Sequence, residues 1–121
     1  MKNTNVKNKN ERDYSKYVFE GEHYGKGPLV LAVIHKYAKE HPQLTVEKLK
    51  EAFPRKELRS SLEIVELAKK ARKGRYFPDK EDLINLQDAT VAVTNQWGSN
   101  IDVFIKFVRL NLNFKIRVQH A

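Results

Sequence analysis

An acidic group at Asp79, Glu81 and Asp82 is the first place in the chain where neighbouring side chains could perform catalysis. Clustered carboxylates hold Mg²⁺ in many nucleases, and the metal activates the attacking water. The usual partner of such a cluster is an acidic residue followed two positions later by lysine, and no Asp or Glu of this chain has one. The acidic group is therefore better explained as a turn that leads into the next pair of strands.

Histidine and cysteine chemistry has no support either. The histidines are His23, His35, His41 and His120. They include no pair at i, i+4 and no His-x-His, the spacings that bring two imidazoles to one metal. The chain has no cysteine, which excludes thiol catalysis and cysteine-bound zinc, and it has no Gly-x-Ser-x-Gly motif. We therefore expect a protein that is not an enzyme and that needs no metal or cofactor.

The sequence Gly25-Lys26-Gly27 stands before an apolar helical pattern, as phosphate-binding loops do. The Walker spacing and the dinucleotide-binding spacing are both missing, so the ordinary role of glycine in turns explains the segment better. The N-terminus of the helix could still bind one backbone phosphate beside Lys26.

Positive charge is the strongest functional signal. The 121 residues include 23 Lys and Arg against 15 Asp and Glu, a net charge of +8. Residues 1–16 carry five basic and two acidic side chains, residues 55–75 carry eight and three, and residues 109–121 carry three and none. Such blocks concentrate positive potential and attract polyanions, either nucleic acids or acidic protein faces. The alternative is a merely solvated surface.

Aromatic side chains are interleaved with the first of these cations, a mixture that can stack bases while pairing phosphates. Core packing is favoured for Phe19 and Trp97, whereas Tyr14 and Tyr24 stay open between the two roles. The candidate contacts for a nucleic acid, or for a protein complex that carries one, are Lys16, Tyr24, Lys26, Arg55, Lys56, Arg59, Lys69, Lys70, Arg72, Lys73, Arg75, Lys115 and Arg117.

Composition predicts one small domain preceded by a basic arm. Residues 1–13 contain four Asn and four Lys or Arg but little apolar surface, so we expect them to be flexible. Residues 14–121 form a single α+β domain, since 40% hydrophobic residues suffice for a core. The longest apolar run, Leu29–Ile34, is too short to span a membrane, and the start lacks the apolar segment of a signal peptide. We therefore expect a cytoplasmic protein.

Hydrophobic periodicity predicts the first elements that must position these side chains. A hairpin over residues 17–24 turns at Gly21. Pro28 is the first residue of a nearly buried helix that runs to residue 41. Thr45 then caps a second, shorter helix, which begins with a hydrophobic staple.

The later pattern predicts a third helix that begins at Ser60 or Ser61 and ends at Gly74. The remaining elements are a second hairpin (residues 83–87 and 90–94), a fourth helix (residues 100–110) and a C-terminal strand with one basic face (residues 114–118). The order of short helix, turn, third helix and hairpin is that of a winged helix, in which the third helix reads the major groove. The prediction is thus an α+β domain with a three-helix, winged-helix-like core and two β-hairpins.

Four segments of the chain resemble a small bacterial domain found in restriction and phage-defence proteins. They are Tyr14-x-x-Tyr17-x-Phe19, Gly25-x-Gly27-x-Leu29-Val30-Leu31, Phe53-Pro54, and Asn95-Gln96-Trp97-Gly98 with Asn100, Ile101, Phe104 and Ile105. The resemblance spans residues 14–114 and implies a setting of nucleic-acid-processing immunity. A small cationic protein in that setting is also similar to phage-encoded inhibitors of defence nucleases.

Two functions therefore compete. The first is a noncatalytic, basic nucleic-acid-binding module in a bacterial defence or restriction context, favoured by the charge blocks and the interleaved aromatic residues. The second is a small inhibitor or adaptor, similar to anti-CRISPR proteins, which binds a nucleic-acid effector complex and blocks its guide or target strand. Neither the choice between DNA and RNA nor the oligomeric state follows from the residues.

Overall fold

Residues 16–119, the part of the chain that the computed structural model describes, form six short strands and three α-helices. The strands are β1 (Lys16–Phe19), β2 (Glu22–Tyr24), β3 (Val65–Leu67), β4 (Ile84–Asn85), β5 (Thr90–Val93) and β6 (Arg117–Gln119). The helices are α1 (Lys26–Glu40), α2 (Val46–Ala52) and α3 (Ile101–Asn111), and 3₁₀ turns lie at Ala68–Lys70 and Lys80–Asp82. These elements form a small α+β domain with two antiparallel sheets, which confirms the predicted fold class.

The first sheet has the order β2-β1-β6 and is antiparallel throughout. Its hairpin turns at Glu20 and Gly21, whose φ angles are 53° and 80°. Positive φ at both central residues is typical of a type I′ turn, the two-residue loop whose twist matches that of the strands. Glycine adopts this conformation without steric cost. The predicted hairpin around Gly21 is confirmed.

Helix α1 begins two residues before its predicted start. Gly25 is the N-cap, so Pro28 occupies the third helical position rather than the first. Proline is tolerated there because the first N–H groups of a helix have no partner inside it. One face of α1 is buried, and its members are Leu29, Val30, Val33 and Ile34. The last residues of the helix are exposed, so α1 is amphipathic rather than nearly buried.

Helix α2 begins at the predicted cap. Thr45 Oγ1 accepts a hydrogen bond from the backbone N–H of Lys48 at 3.3 Å. Leu44 and Leu49, which flank this cap, are both buried, as a hydrophobic staple requires. The chain then enters the core at Phe53, directly after the helix.

Residues 60–74 do not form the predicted third helix, and that prediction is wrong. They contain β3, the first 3₁₀ turn and an irregular segment. Val65 of β3 pairs with Val93 of β5, and such ladder contacts satisfy backbone groups that a helix would satisfy internally. The β-branched pair Ile64 and Val65 also favours a strand. The winged-helix interpretation depended on that helix and is not confirmed, since the described chain has no helix between α2 and α3 that could enter a groove.

The second sheet has the order β3-β5-β4 and contains the second predicted hairpin. Its strands are shorter than the predicted runs 83–87 and 90–94, because regular pairing is confined to β4 and to β5. Val91, Ala92 and Val93 are all buried, so β5 is covered on both faces. It is the central strand of the core.

Helix α3 confirms its predicted apolar stripe, whose buried members are Ile101, Phe104, Ile105 and Val108. The Phe104 ring centroid lies 5.3 Å from that of Trp97 and 6.1 Å from that of Phe53, which joins α3 to the end of α2. The C-terminal strand is confirmed as well, although it pairs with β1 only from Arg117 onward. None of the helices between residues 16 and 119 has the length and apolar character needed to cross a membrane.

Candidate nucleic-acid interface

Five cations cluster on residues 68–75, which we call the cationic loop. They are Lys69, Lys70, Arg72, Lys73 and Arg75, and all of them are exposed. Gly74 has a φ of 82° in a turn closed by the N–H of Arg75, which donates to the C=O of Arg72 at 3.0 Å. Positive φ at this place is what a type II turn requires, and glycine supplies it. The predicted role of Gly74 as a helix end is therefore replaced by a role in a turn.

The C-terminal end of the cationic loop is fixed to the sheet. Thr94, the residue after β5, is fully buried, and its Oγ1 donates to the C=O of Arg75 at 2.8 Å. The N–H of Asn95 donates to the same carbonyl at 3.1 Å. The hydroxyl of Tyr76 donates to the C=O of Glu63 at 2.8 Å. These bonds hold the backbone that carries the last cation of the loop.

The Tyr76 hydroxyl stays protonated at physiological pH. Burial raises the pKa of Tyr76 above its ordinary value, and the carboxylates of Glu66 and Glu63 raise it further. The charges of Arg55 and Arg72 act in the opposite direction and do not reverse the shift. The hydroxyl therefore keeps its role as a donor.

The charge of the cationic loop is not compensated by ion pairs within the described residues. Salt bridges between residues 16 and 119 join Lys36, Lys50 and Arg55 to glutamates, and none includes a cation of the loop. Arg75 Nη1 donates to Oε1 of the neutral Gln96 at 3.3 Å. The loop thus presents net positive charge to solvent.

Arg55 is one of the predicted contacts, but the structure gives it an internal role. Its Nε and Nη2 donate to the C=O groups of Ser60 and Ser61 at 3.2 and 2.6 Å. Its Nη1 lies 3.1 Å from Oε2 of Glu63. The guanidinium therefore braces the segment between α2 and β3, which leaves it poorly placed to bind a ligand.

A second basic surface lies where the outer face of the first sheet meets the end of α3. An open groove of about 690 Å³ runs there, which we call the basic groove. It is lined by Val18, Glu20, Arg109 and residues 113–117. The predicted contacts Lys115 and Arg117 therefore come together. Lys16 lies on the same sheet face, two residues before Val18.

Arg109 lines the basic groove although the sequence predictions did not single it out. Its Nε donates to the C=O of Ile116 at 3.1 Å, and its Nη2 donates to the same oxygen. A usable signal was present in the sequence. Arg109 stands in the last turn of a strongly patterned helix, shortly before the strand whose cations alternate with apolar residues.

The segment Gly25-Lys26-Gly27 is used for helix initiation and packing. Lys26 is the first residue of α1, and Tyr24 before it packs partly against the core. A Cβ added to Gly27 would lie 3.1 Å from Cζ of Phe77. Close packing thus explains Gly27, which lies inside α1 rather than in the predicted turn.

The aromatic side chains mostly belong to the core. Phe19 and Trp97 are buried, as predicted, and Tyr17 is buried as well. Trp97 Nε1 donates to the C=O of Thr94 at 3.0 Å, so the indole has its polar partner inside the protein. These three rings are therefore not exposed for base stacking.

The acidic group forms the predicted turn. Glu81 and Asp82 lie in the second 3₁₀ turn, with Asp79 as its N-cap. Burial raises the pKa of Asp82, the charges of Asp79 and Glu81 raise it further, and His35 lowers it. His35 Nε2 lies 2.9 Å from the C=O of Asp82. In the described part of the chain, no group of His, Asp and Glu side chains could hold a metal ion.

The other predicted residues divide between the surface and the undescribed ends. Lys56 and Arg59 are exposed in the turn after α2. The predicted flexible arm of residues 1–13, Tyr14 and His120 lie outside the described residues.

Comparison of the chain with protein-family models, curated proteins and solved structures finds no match.

Proposed function

We propose that this protein is a noncatalytic module that binds nucleic acid through contacts between the cationic loop and the phosphate backbone. The observation that carries the proposal is the exposure of the five loop cations without an ion-pair partner among residues 16–119. The resemblance to a domain of restriction and phage-defence proteins supports a role in bacterial defence.

A short, anchored loop of cations suits a phosphate backbone for physical reasons. Each cation that neutralises a phosphate releases condensed counterions, and this release drives binding without any contact to a base. The hydrogen bond from Thr94 to Arg75 restrains the loop before binding, so less conformational entropy is lost in the complex. The net charge of +8 adds long-range attraction that speeds association with a polyanion.

The same cations could instead meet an acidic face of a nucleic-acid effector complex, which is how an inhibitor or adaptor would use them. The two functions differ in the direct partner. Copurification of the untagged protein, with and without nuclease treatment, separates them. We expect the partner to be lost on nuclease treatment, and a protein that stays bound would replace the proposed function with the inhibitor function.

The direct test replaces four of the loop cations with glutamine, in the variant Lys69→Gln, Lys70→Gln, Arg72→Gln and Lys73→Gln. A matched control removes the same charge from exposed lysines elsewhere, through Lys39→Gln, Lys48→Gln, Lys80→Gln and Lys106→Gln. Both full-length variants are titrated with labelled duplex and single-stranded nucleic acid by fluorescence anisotropy, over a salt series of about 50 to 200 mM. Circular dichroism reports whether each variant keeps its fold.

We expect the loop variant to lose affinity and salt dependence together. On duplex DNA each phosphate contact contributes about 0.9 to the slope of log K against log salt, so four lost contacts reduce the slope by about 3 to 4. The control variant should keep most of its slope, because its lysines are spread over the surface. Equal slopes and equal affinities for the two variants, with native circular dichroism, would refute the proposal.

A further inference from the structure

The basic groove is a second candidate binding site, distinct from the cationic loop. We propose that it binds a phosphate monoester, the group carried by a free nucleotide or by the phosphorylated end of a nucleic-acid strand. This proposal is independent of the function proposed for the cationic loop, because no cation is shared between the two surfaces.

Arg109 is the residue around which this site is organised. The hydrogen bonds from its Nε and Nη2 to the C=O of Ile116 fix the plane of the guanidinium beside the groove. Its Nη1 has no hydrogen-bond partner among residues 16–119, so the N–H groups of that nitrogen are available to a ligand. A planar guanidinium suits the oxygens of a phosphate, and a side chain that is already held in place loses less entropy when the ligand binds.

Two more cations line the same groove. Phe114 and Ile116 are buried, and the exposed Lys115 and Arg117 alternate with them on the opposite side of the segment. With Arg109, the groove therefore has three cations. A phosphate monoester carries about −1.5 to −2 charges near pH 7, whereas a diester carries one, so the charge of the groove matches a monoester better.

Glu20 is the carboxylate among the residues that line the groove, and it forms an ion pair with Lys36. Lys36 Nζ lies 3.0 Å from Oε1 of Glu20 and 3.3 Å from Oε2 of Glu40. The hydrogen bond to Glu20, followed by that to Glu40, raises the pKa of Lys36, which therefore stays protonated. The groove keeps its positive character despite this carboxylate.

The size and lining of the groove suit a ligand larger than a bare anion. Its volume of about 690 Å³ lies within the range of roughly 300 to 1,000 Å³ that is typical of small-molecule sites. Val18 and Phe114 add apolar surface beside the cations. A ribose can pack on this surface while the phosphate meets Arg109.

The test follows the backbone amide signals of the full-length, ¹⁵N-labelled protein by NMR. Adenosine monophosphate, adenosine and inorganic phosphate are titrated in parallel, as are tetranucleotides with a 5′-phosphate or a 5′-hydroxyl. Two variants alter the site in different ways. Arg109→Lys keeps the positive charge but loses the planar guanidinium. The double variant Lys115→Gln with Arg117→Gln leaves the hydrogen bonds from Arg109 to Ile116 intact. Lys48→Gln with Lys106→Gln removes the same charge as the double variant from exposed lysines outside the groove, and it is the matched control.

We expect saturable shifts at residues 109 and 113–117 with the monophosphate and with inorganic phosphate, but not with adenosine. Affinity should fall at least tenfold in both groove variants and less than twofold in the control. If the 5′-phosphorylated tetranucleotide binds as tightly as adenosine monophosphate, the ligand is the end of a strand. If the tetranucleotide binds more weakly than adenosine monophosphate, the ligand is a free nucleotide. Unsaturated shifts, equal shifts with adenosine, or unchanged affinity in the double variant would overturn the proposal. The glutamine variant of the cationic loop should keep its phosphate binding at the basic groove. Each of the two proposals can therefore fail while the other stands.

Discussion

Replacing Trp97 with alanine should destabilise the fold strongly without touching either basic surface. The indole is 9% exposed, its ring packs edge-on against Phe104 at 5.3 Å, and its Nε1 donates to the C=O of Thr94. Trp97→Ala removes the ring contact and the hydrogen bond and leaves a cavity beside α3. Truncation of a buried tryptophan to alanine costs about 3 to 5 kcal/mol.

The expected change in melting temperature follows from the size of the domain. For a chain of this length, 1 kcal/mol corresponds to a shift of about 3 to 5 °C, so Trp97→Ala should lower Tm by roughly 10 to 20 °C. Trp97→Phe keeps the aromatic contact and loses only part of the volume and the indole donor, so its cost should be about 1 to 2 kcal/mol. Circular dichroism at 222 nm measures both melts, because it does not depend on the single tryptophan.

A matched control is Leu110→Ala, since Leu110 is 72% exposed and should change stability by no more than about 0.5 kcal/mol. Nucleic-acid binding by Trp97→Ala, measured well below its Tm, should equal that of the unchanged protein. A drop in Tm of less than about 3 °C would show that the site collapses around the cavity or that the ring is not part of the core, and the reasoning would fail.

Two further changes test the anchor of the cationic loop and the acidic turn that contains Asp82. Thr94→Val removes the hydroxyl that donates to Arg75 and accepts from the N–H of Gln96, so we expect a loss of about 1 to 3 kcal/mol in urea unfolding, and an unchanged midpoint would contradict the anchor. Burial and the neighbouring carboxylates raise the pKa of Asp82 in the folded state above its value in the unfolded chain. The folded state therefore holds this proton more tightly, and it loses stability as the pH rises from the unfolded pKa through the folded pKa. Asp82→Asn should therefore raise Tm at pH 7 and change it little at pH 3, and an equal gain at both pH values would contradict this assignment.

Local rules were sufficient where the decisive interactions lie within a few residues. The side chain of Thr45 caps the N–H of Lys48 three residues later, and the hairpin turn at Glu20 and Gly21 is favoured by a glycine that adopts positive φ without steric cost. The stripe of α3 repeats at the helical period and has no competing strand pattern. These elements were predictable because their sequence pattern and their final environment agree.

The segment between residues 60 and 74 was not predictable in this way. Its apolar residues fit a helical face, and its late cations would suit a helix C-terminus. The structure forms a strand instead, because Val65 meets Val93 of a strand that lies far along the chain. A local sequence pattern contains no information about a strand partner that becomes a neighbour only after folding.

The sequence determines where the cations stand along the chain, whereas the tertiary structure decides which of them can bind a ligand. Arg55 and Arg109 both belong to basic blocks, yet Arg55 uses its nitrogens on Ser60, Ser61 and Glu63 of the segment that follows it. Arg109 binds a single carbonyl and lines a groove that forms only when α3 meets the first sheet. The physical reason is that a long, charged side chain is held by carbonyls and carboxylates whose positions depend on the folded path of the backbone, which residue types alone do not give.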